Sequence, residues 1–182
     1  MKRFTDAGRR AINDGNLYAG LSLALTLPDI CGSLEDPDPG KSQSRYERWC
    51  KKWLEPKFTG GNNPLSGAPI VFVRAEDIFQ LRCSLIHSGS VEIDIAKRTG
   101  VERFVFFDQT TGTHLNKFEK CQFNGVEFNL VQLKADMFSE EIFKAADEWD
   151  SAIATNQKIQ TEKANLLYIH SKGAVIHGIR FG

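Results

Sequence analysis

The residues best suited to chemistry in this chain are Arg82 and His87, within the run Arg82-Cys83-Ser84-Leu85-Ile86-His87. An arginine is always charged and presents a planar fork of donors to carboxylate or phosphate oxygens, whereas a histidine takes and gives protons near neutrality. Together they can hold the non-bridging oxygens of a phosphate and move a proton while it is transferred. Cys83 and Ser84 lie between them as supporting groups. At about 100° per residue, Ile78, Phe79, Leu81, Cys83, Leu85 and Ile86 fall on one broad helical face, with Arg82 near its middle. A guanidinium on such a stripe needs a carboxylate, a subunit boundary or an anionic ligand as its partner. His87 follows roughly 140° further round. Ser88-Gly89-Ser90 then reads as the helix stop, with Gly89 suited to the left-handed cap.

One carboxylate could serve Arg82. The apolar stretch from Leu17 to Leu34 is greasy on every side except for a strip of Ser22, Thr26, Asp29 and Ser33, on which Asp29 is the only charge. Asp29 either orients Arg82 within a site or pairs with it across a helical bundle as a structural anchor; in the second case His87 merely complements its helix dipole. Pro28 should release the carbonyl of Ala24 and kink the helix where Asp29 points. Further on, Arg45, Tyr46 and Arg48 could touch RNA by phosphate contact and stacking, although Tyr46, Trp49, Cys50 and Trp53 at helical spacing also read as core anchors. Cys31, Cys50, Cys83 and Cys121 show no C-x-x-C pairing, and His114, His170 and His177 have no evident carboxylate beside them, so neither a metal nor a cofactor is expected.

Those residues need elements to hold them. Residues 2 to 14 read as a surface helix, and Gly15-Asn16 ends it with Asn16 as the next cap. A third helix starts at Ser42 or Ser44 and is closed by Pro56, residues 57 to 69 read as a loop, and Ile70-Val71-Phe72-Val73 reads as a buried loop before the fourth helix near Ala75. Four helices with short connections make an antiparallel bundle over residues 1–90. Residues 91–182 then supply a strand at Arg103–Phe107, a hairpin turning at Asn124-Gly125, a long helix from Met137 to about Lys163 with Ser139 near its cap, and a closing hairpin around Lys172-Gly173. The fold class is α+β, mainly α, with a small antiparallel sheet and a long C-terminal helix, expected as one compact unit.

The 23 basic and 23 acidic residues cancel, which argues against a wide basic stripe for sequence-independent nucleic-acid binding. Met1-Lys2-Arg3-Phe4 leads into charged residues without an apolar core for a signal, and the Leu17–Leu34 stretch is broken by Pro28 and Asp29, so a buried helix is expected there and not a membrane span. A reduced, cytoplasmic protein is the simplest expectation.

Arg82 to His87, on a late helix of a bundle, resembles the R-x4-6-H motif of the HEPN superfamily, the likeness covering roughly residues 2 to 90. Leu27-Pro28-Asp29-Ile30-Cys31-Gly32 and Arg82-Cys83-Ser84 are also similar to a set of uncharacterised bacterial proteins. Many HEPN members are metal-independent ribonucleases of toxin, defence and RNA-processing systems, working as dimers with two motif copies face to face. The resemblance implies a homodimer in which Arg82 holds an RNA phosphate, His87 moves a proton, and an antitoxin or other partner protein attends. Cys83 stands where active members commonly carry Asn, His or Asp. The alternative is a catalytically silent dimeric module that binds a partner protein or a nucleotide-like ligand through the same surface.

Overall fold

The computed structural model describes residues 1–37, 42–64, 66–90, 100–110 and 112–182. Two of its helix ends follow the caps written into the sequence, whereas Ser42 and Ser44, expected to cap the third helix, lie inside it. Helix α1 (Lys2–Asn13) is followed by Gly15 at φ 79° and by α2 (Leu17–Glu35), whose first turn is capped by the Asn16 side chain accepting from the Ala19 N–H at 3.2 Å. Helix α3 (Ser42–Trp53) leads into a 3-10 turn (Glu55–Phe58), and α4 (Ala75–Ser88) ends at Gly89, which takes the left-handed cap at φ 62°.

Helix α2 is central to the packing, in contact with α1, α3, α4, α5 (Ala135–Ala152) and α6 (Gln157–Ala164). Among the described residues it is the helix long and apolar enough to cross a membrane, but Ala24, Leu25, Leu27 and Cys31 are wholly buried inside the protein. Close approach is allowed by glycine: a Cβ on Gly32 would lie 3.1 Å from the Arg45 carbonyl of α3. Pro28 sits inside the continuous helix and offers no N–H to the Ala24 carbonyl, and the next carbonyl, that of Leu25, takes a bond from outside the helix. The buried Tyr46 hydroxyl donates to it at 3.0 Å.

The second half departs from expectation in three ways. The sheet is mixed, not antiparallel: β3 (Arg103–Phe107) runs parallel to β5 (Val126–Lys134), which also pairs antiparallel with β4 (Asn116–Phe123) to give the order β3-β5-β4. The Asn124-Gly125 turn is as expected, both residues having positive φ. The long helix is two helices, broken at Ile153–Asn156 and restarted by the Asn156 side chain capping α6; it begins at Ala135, so Ser139 is buried within α5 and caps nothing. The last hairpin turns at His177-Gly178 between β6 (Val175–Ile176) and β7 (Ile179–Arg180), not at Lys172-Gly173.

A smaller correction concerns the stretch before α4. Pro69–Val71 forms strand β2, paired with β1 (Thr59–Asn62), where a loop was expected. One apolar cluster joins the helices to the sheet. Phe138 of α5 stacks on Phe58 and meets Phe106 of β3 edge-on, while Val131 and Leu133 of β5 are fully buried.

Candidate functional site

Helix α4 is fastened firmly at its start and left open at its end. Asp77, 1% exposed, accepts from the Arg74 N–H at 3.0 Å and from the Val101 N–H at 3.2 Å, and Glu55 accepts from the Ala75 N–H at 2.9 Å. These bonds satisfy donors of the first turn and tie it to the segment entering β3. Ile78 and Leu81 are buried below. From Cys83 onward the side chains are only partly buried, and Ile86, expected on the core face, is 44% exposed. Asp77 and Glu55 were not singled out from sequence; an acidic residue in the first turn of a helix was the signal for Asp77.

Arg82 lies at the boundary between these halves. Its Nε and Nη2 both donate to Oδ2 of Asp29 on α2, each at 2.8 Å, and the two side chains keep 23% and 27% of their surface exposed. Of the partners open to Arg82, the structure therefore supplies the carboxylate. Burial pushes the Asp29 carboxyl up from its ordinary value, against the pull of the Arg82 charge and hydrogen bond and of the Arg45 charge. For Arg82 burial acts downward and is outweighed chiefly by the Asp29 charge, so the guanidinium is held ionised.

His87 follows in the last turn of α4 and is exposed. Ser84 lies between them, its carbonyl accepting from the Ser88 hydroxyl at 2.8 Å, and Cys83 is partly buried. Arg45, on α3, is close enough to Asp29 to lower its pKa, which brings residues of α2, α3 and α4 together around one carboxylate.

The other expected contacts separate from this group. Tyr46 is completely buried, bonded to Leu25 and edge-on to Phe79 at 5.4 Å, so its ring stacks on no RNA base in this fold; the apolar surroundings that anchor it also push its hydroxyl pKa well up. Arg48 is exposed and pairs with Asp36 at 2.8 Å. Cys31 and Cys50 are buried thiols whose pKa burial drives well up, which leaves them poor nucleophiles. Among the described residues no three His, Cys, Asp or Glu side chains converge as a metal site.

Searches against protein-family models, curated proteins and solved structures find no match to this chain.

Proposed function

We propose that this chain is a HEPN-type module that acts in the cytoplasm on RNA, cutting it without a metal at a site formed where two copies face each other. The observation that carries the reading is the state of Arg82: it is oriented by two bonds to a single Asp29 oxygen, still partly open to solvent, on a helix that ends in the exposed His87. A guanidinium fixed in this way is pre-organised for a phosphate oxygen, and orientation of this kind is worth more than charge alone.

In this reaction the RNA 2′-hydroxyl attacks the adjacent phosphorus. The bond from phosphorus to the 2′-oxygen forms as the bond to the 5′-oxygen breaks, leaving a cyclic phosphate and a free 5′-hydroxyl. His87 takes the 2′-hydroxyl proton, and a second acid, the His87 of the facing copy, returns one to the leaving 5′-oxygen. Arg82 holds the non-bridging oxygens, and Asp29 keeps Arg82 aimed.

A second reading rests on the same ion pair. Asp29 already neutralises Arg82, so the surface can serve as a silent dimer face for a partner protein or a nucleotide-like ligand. One experiment separates the two. Purified protein incubated with total RNA in EDTA is expected to cleave it, and His87→Ala is expected to lower the rate at least a hundredfold with circular dichroism and dimerisation unchanged. No cleavage by the unaltered protein under any salt or pH leaves the silent module.

A further inference from the structure

The C-terminal segment is apolar, cationic and unburied, a combination that asks for a partner. Leu167, Tyr168, Ile169, Val175, Ile179 and Phe181 are each more than half exposed. They account for half of the large exposed apolar side chains among the described residues. No residue beyond Ile159 is buried, yet the hairpin is well formed, with the Gly173 N–H donating to the Phe181 carbonyl at 2.6 Å and the Phe181 N–H to the Ala174 carbonyl at 2.9 Å. A two-stranded hairpin alone is marginal in water, and exposed apolar patches of this kind mark interaction sites.

Charge is segregated along the chain. All 23 acidic residues lie at or before Glu162, whereas Lys163, Lys172 and Arg180 come after it. Lys163 belongs to α6 and is paired with Asp150, so the exposed arm carries Lys172 and Arg180, while the body carries a net negative charge. Aliphatic side chains dominate the tail, which suits a protein surface better than nucleobases, since bases are bound by aromatic faces.

The body of the same chain offers a matching receiver. A groove of about 520 Å³ runs beside β3 and is lined by Leu17, Tyr18 and Leu21 of α2, Leu85 of α4, Phe104–Phe107 of β3 and, just past the strand, Asp108, whose carboxylate also accepts from Thr110. Tyr18, on its wall, is 85% exposed. The tail is tethered elsewhere. Arg3, at the start of α1, donates to the Leu166 carbonyl at 2.9 Å and lies over the Tyr168 ring at 5.5 Å, whereas Leu17 and Tyr18 follow the far end of α1. Twelve helical residues put these two places roughly 18 Å apart.

We propose that the β6–β7 hairpin of one copy seats in the β3 groove of a second copy, so that two chains exchange tails in a two-fold dimer. Such an interface is self-complementary: each copy gives one apolar cationic arm and receives one in an apolar groove on an acidic body. The exchanged arm would lie against Leu85, two residues before the exposed His87. The proposal stands independently of RNA cleavage, because it is read by oligomeric state.

The test uses the full chain. Sedimentation at tens of micromolar protein should show a dimer, and Val175→Asp with Ile179→Asp should weaken dimerisation at least tenfold without changing the monomer's circular dichroism, since neither side chain is buried within one copy. A photocrosslinker in place of Ile179, in a mixture of isotopically light and heavy protein, should join light to heavy chains with the bond falling between residues 17 and 21 or 104 and 108. A monomeric unaltered protein overturns the proposal, as do crosslinks confined to one chain or a dimer indifferent to the paired aspartates. So does a tail whose variants lose affinity for single-stranded RNA while the oligomeric state stays the same.

Discussion

Arg9 and Arg82 are both partly exposed, both bridge two helices and both face carboxylates, but they are held in different ways. Arg9 of α1 gives Nε and Nη2 to the two oxygens of Glu140, at 2.9 and 3.0 Å, and Nη1 to Asp147 at 2.7 Å, while Thr5 donates to the other Asp147 oxygen at 2.9 Å. Three carboxylate oxygens on α5 thus use the whole fork, and the pKa of Arg9 is driven far up, chiefly by the bond to Glu140. Among the described residues Arg82 has one oxygen of one carboxylate, with Cys83 as a further, uncharged partner. A saturated guanidinium is a clasp; one gripped through a single oxygen is oriented and can still accept a phosphate.

The largest test of this contrast is catalytic. Arg82→Ala should lower RNA cleavage by about 10²–10³-fold, the usual effect of removing one oriented donor to a developing charge, and Arg82→Lys should recover little of it because the fork is lost. Arg9→Ala should leave cleavage as it was and cost about 1–2 kcal/mol of stability, more than a lone exposed pair because several oxygens share one cation. Cleavage assays and urea melts on the same three variants check both halves. Equal losses of activity from Arg9→Ala and Arg82→Ala would erase the distinction.

Next in size is the support beneath Arg82. Tyr46 braces α3 against α2 through the Leu25 carbonyl, four residues before Asp29, in a fully buried setting. Tyr46→Phe keeps the ring and its edge-on contact with Phe79 but removes the hydroxyl's bond to that carbonyl, which should cost about 0.5–1.5 kcal/mol. If the melt does not move, the brace is not needed.

The helices around Arg82 were largely legible in the sequence because their ends are local chemistry. Asn16 caps α2 and Gly89 ends α4 through bonds to neighbours within a few residues, and the apolar wrap of α2 announced its central place. Non-local features were not legible. That Arg82 would take Asp29 as its carboxylate depends on two residues 53 positions apart, so the sequence left that pairing as one alternative among several. The parallel pairing of β3 with β5 depends on where the chain crosses between strands, and a run such as Arg103–Phe107 has the same composition in either direction. The break at Ile153–Asn156 was hidden because Ile153 and Ile159, both buried, keep the apolar spacing going across it.

The smallest effect concerns His114, a histidine held in the opposite manner from the exposed His87. His114 accepts the Lys134 N–H on Nδ1 at 3.2 Å, at the junction of β5 and α5, which requires the neutral ring. Burial lowers its pKa from 6.5, helped by Lys134 and opposed by the charges of Asp136 and Glu141. The unfolded chain therefore binds this proton more tightly than the folded one. The contribution of His114 is complete above about pH 6.5 and is lost as the pH falls through that value. Melts from pH 8 down to pH 5 should show stability declining, and His114→Gln should remove that part of the slope while leaving cleavage intact. A slope unchanged by His114→Gln would mean that the Lys134 N–H bond does not select the neutral ring, and that acid sensitivity arises elsewhere in the chain.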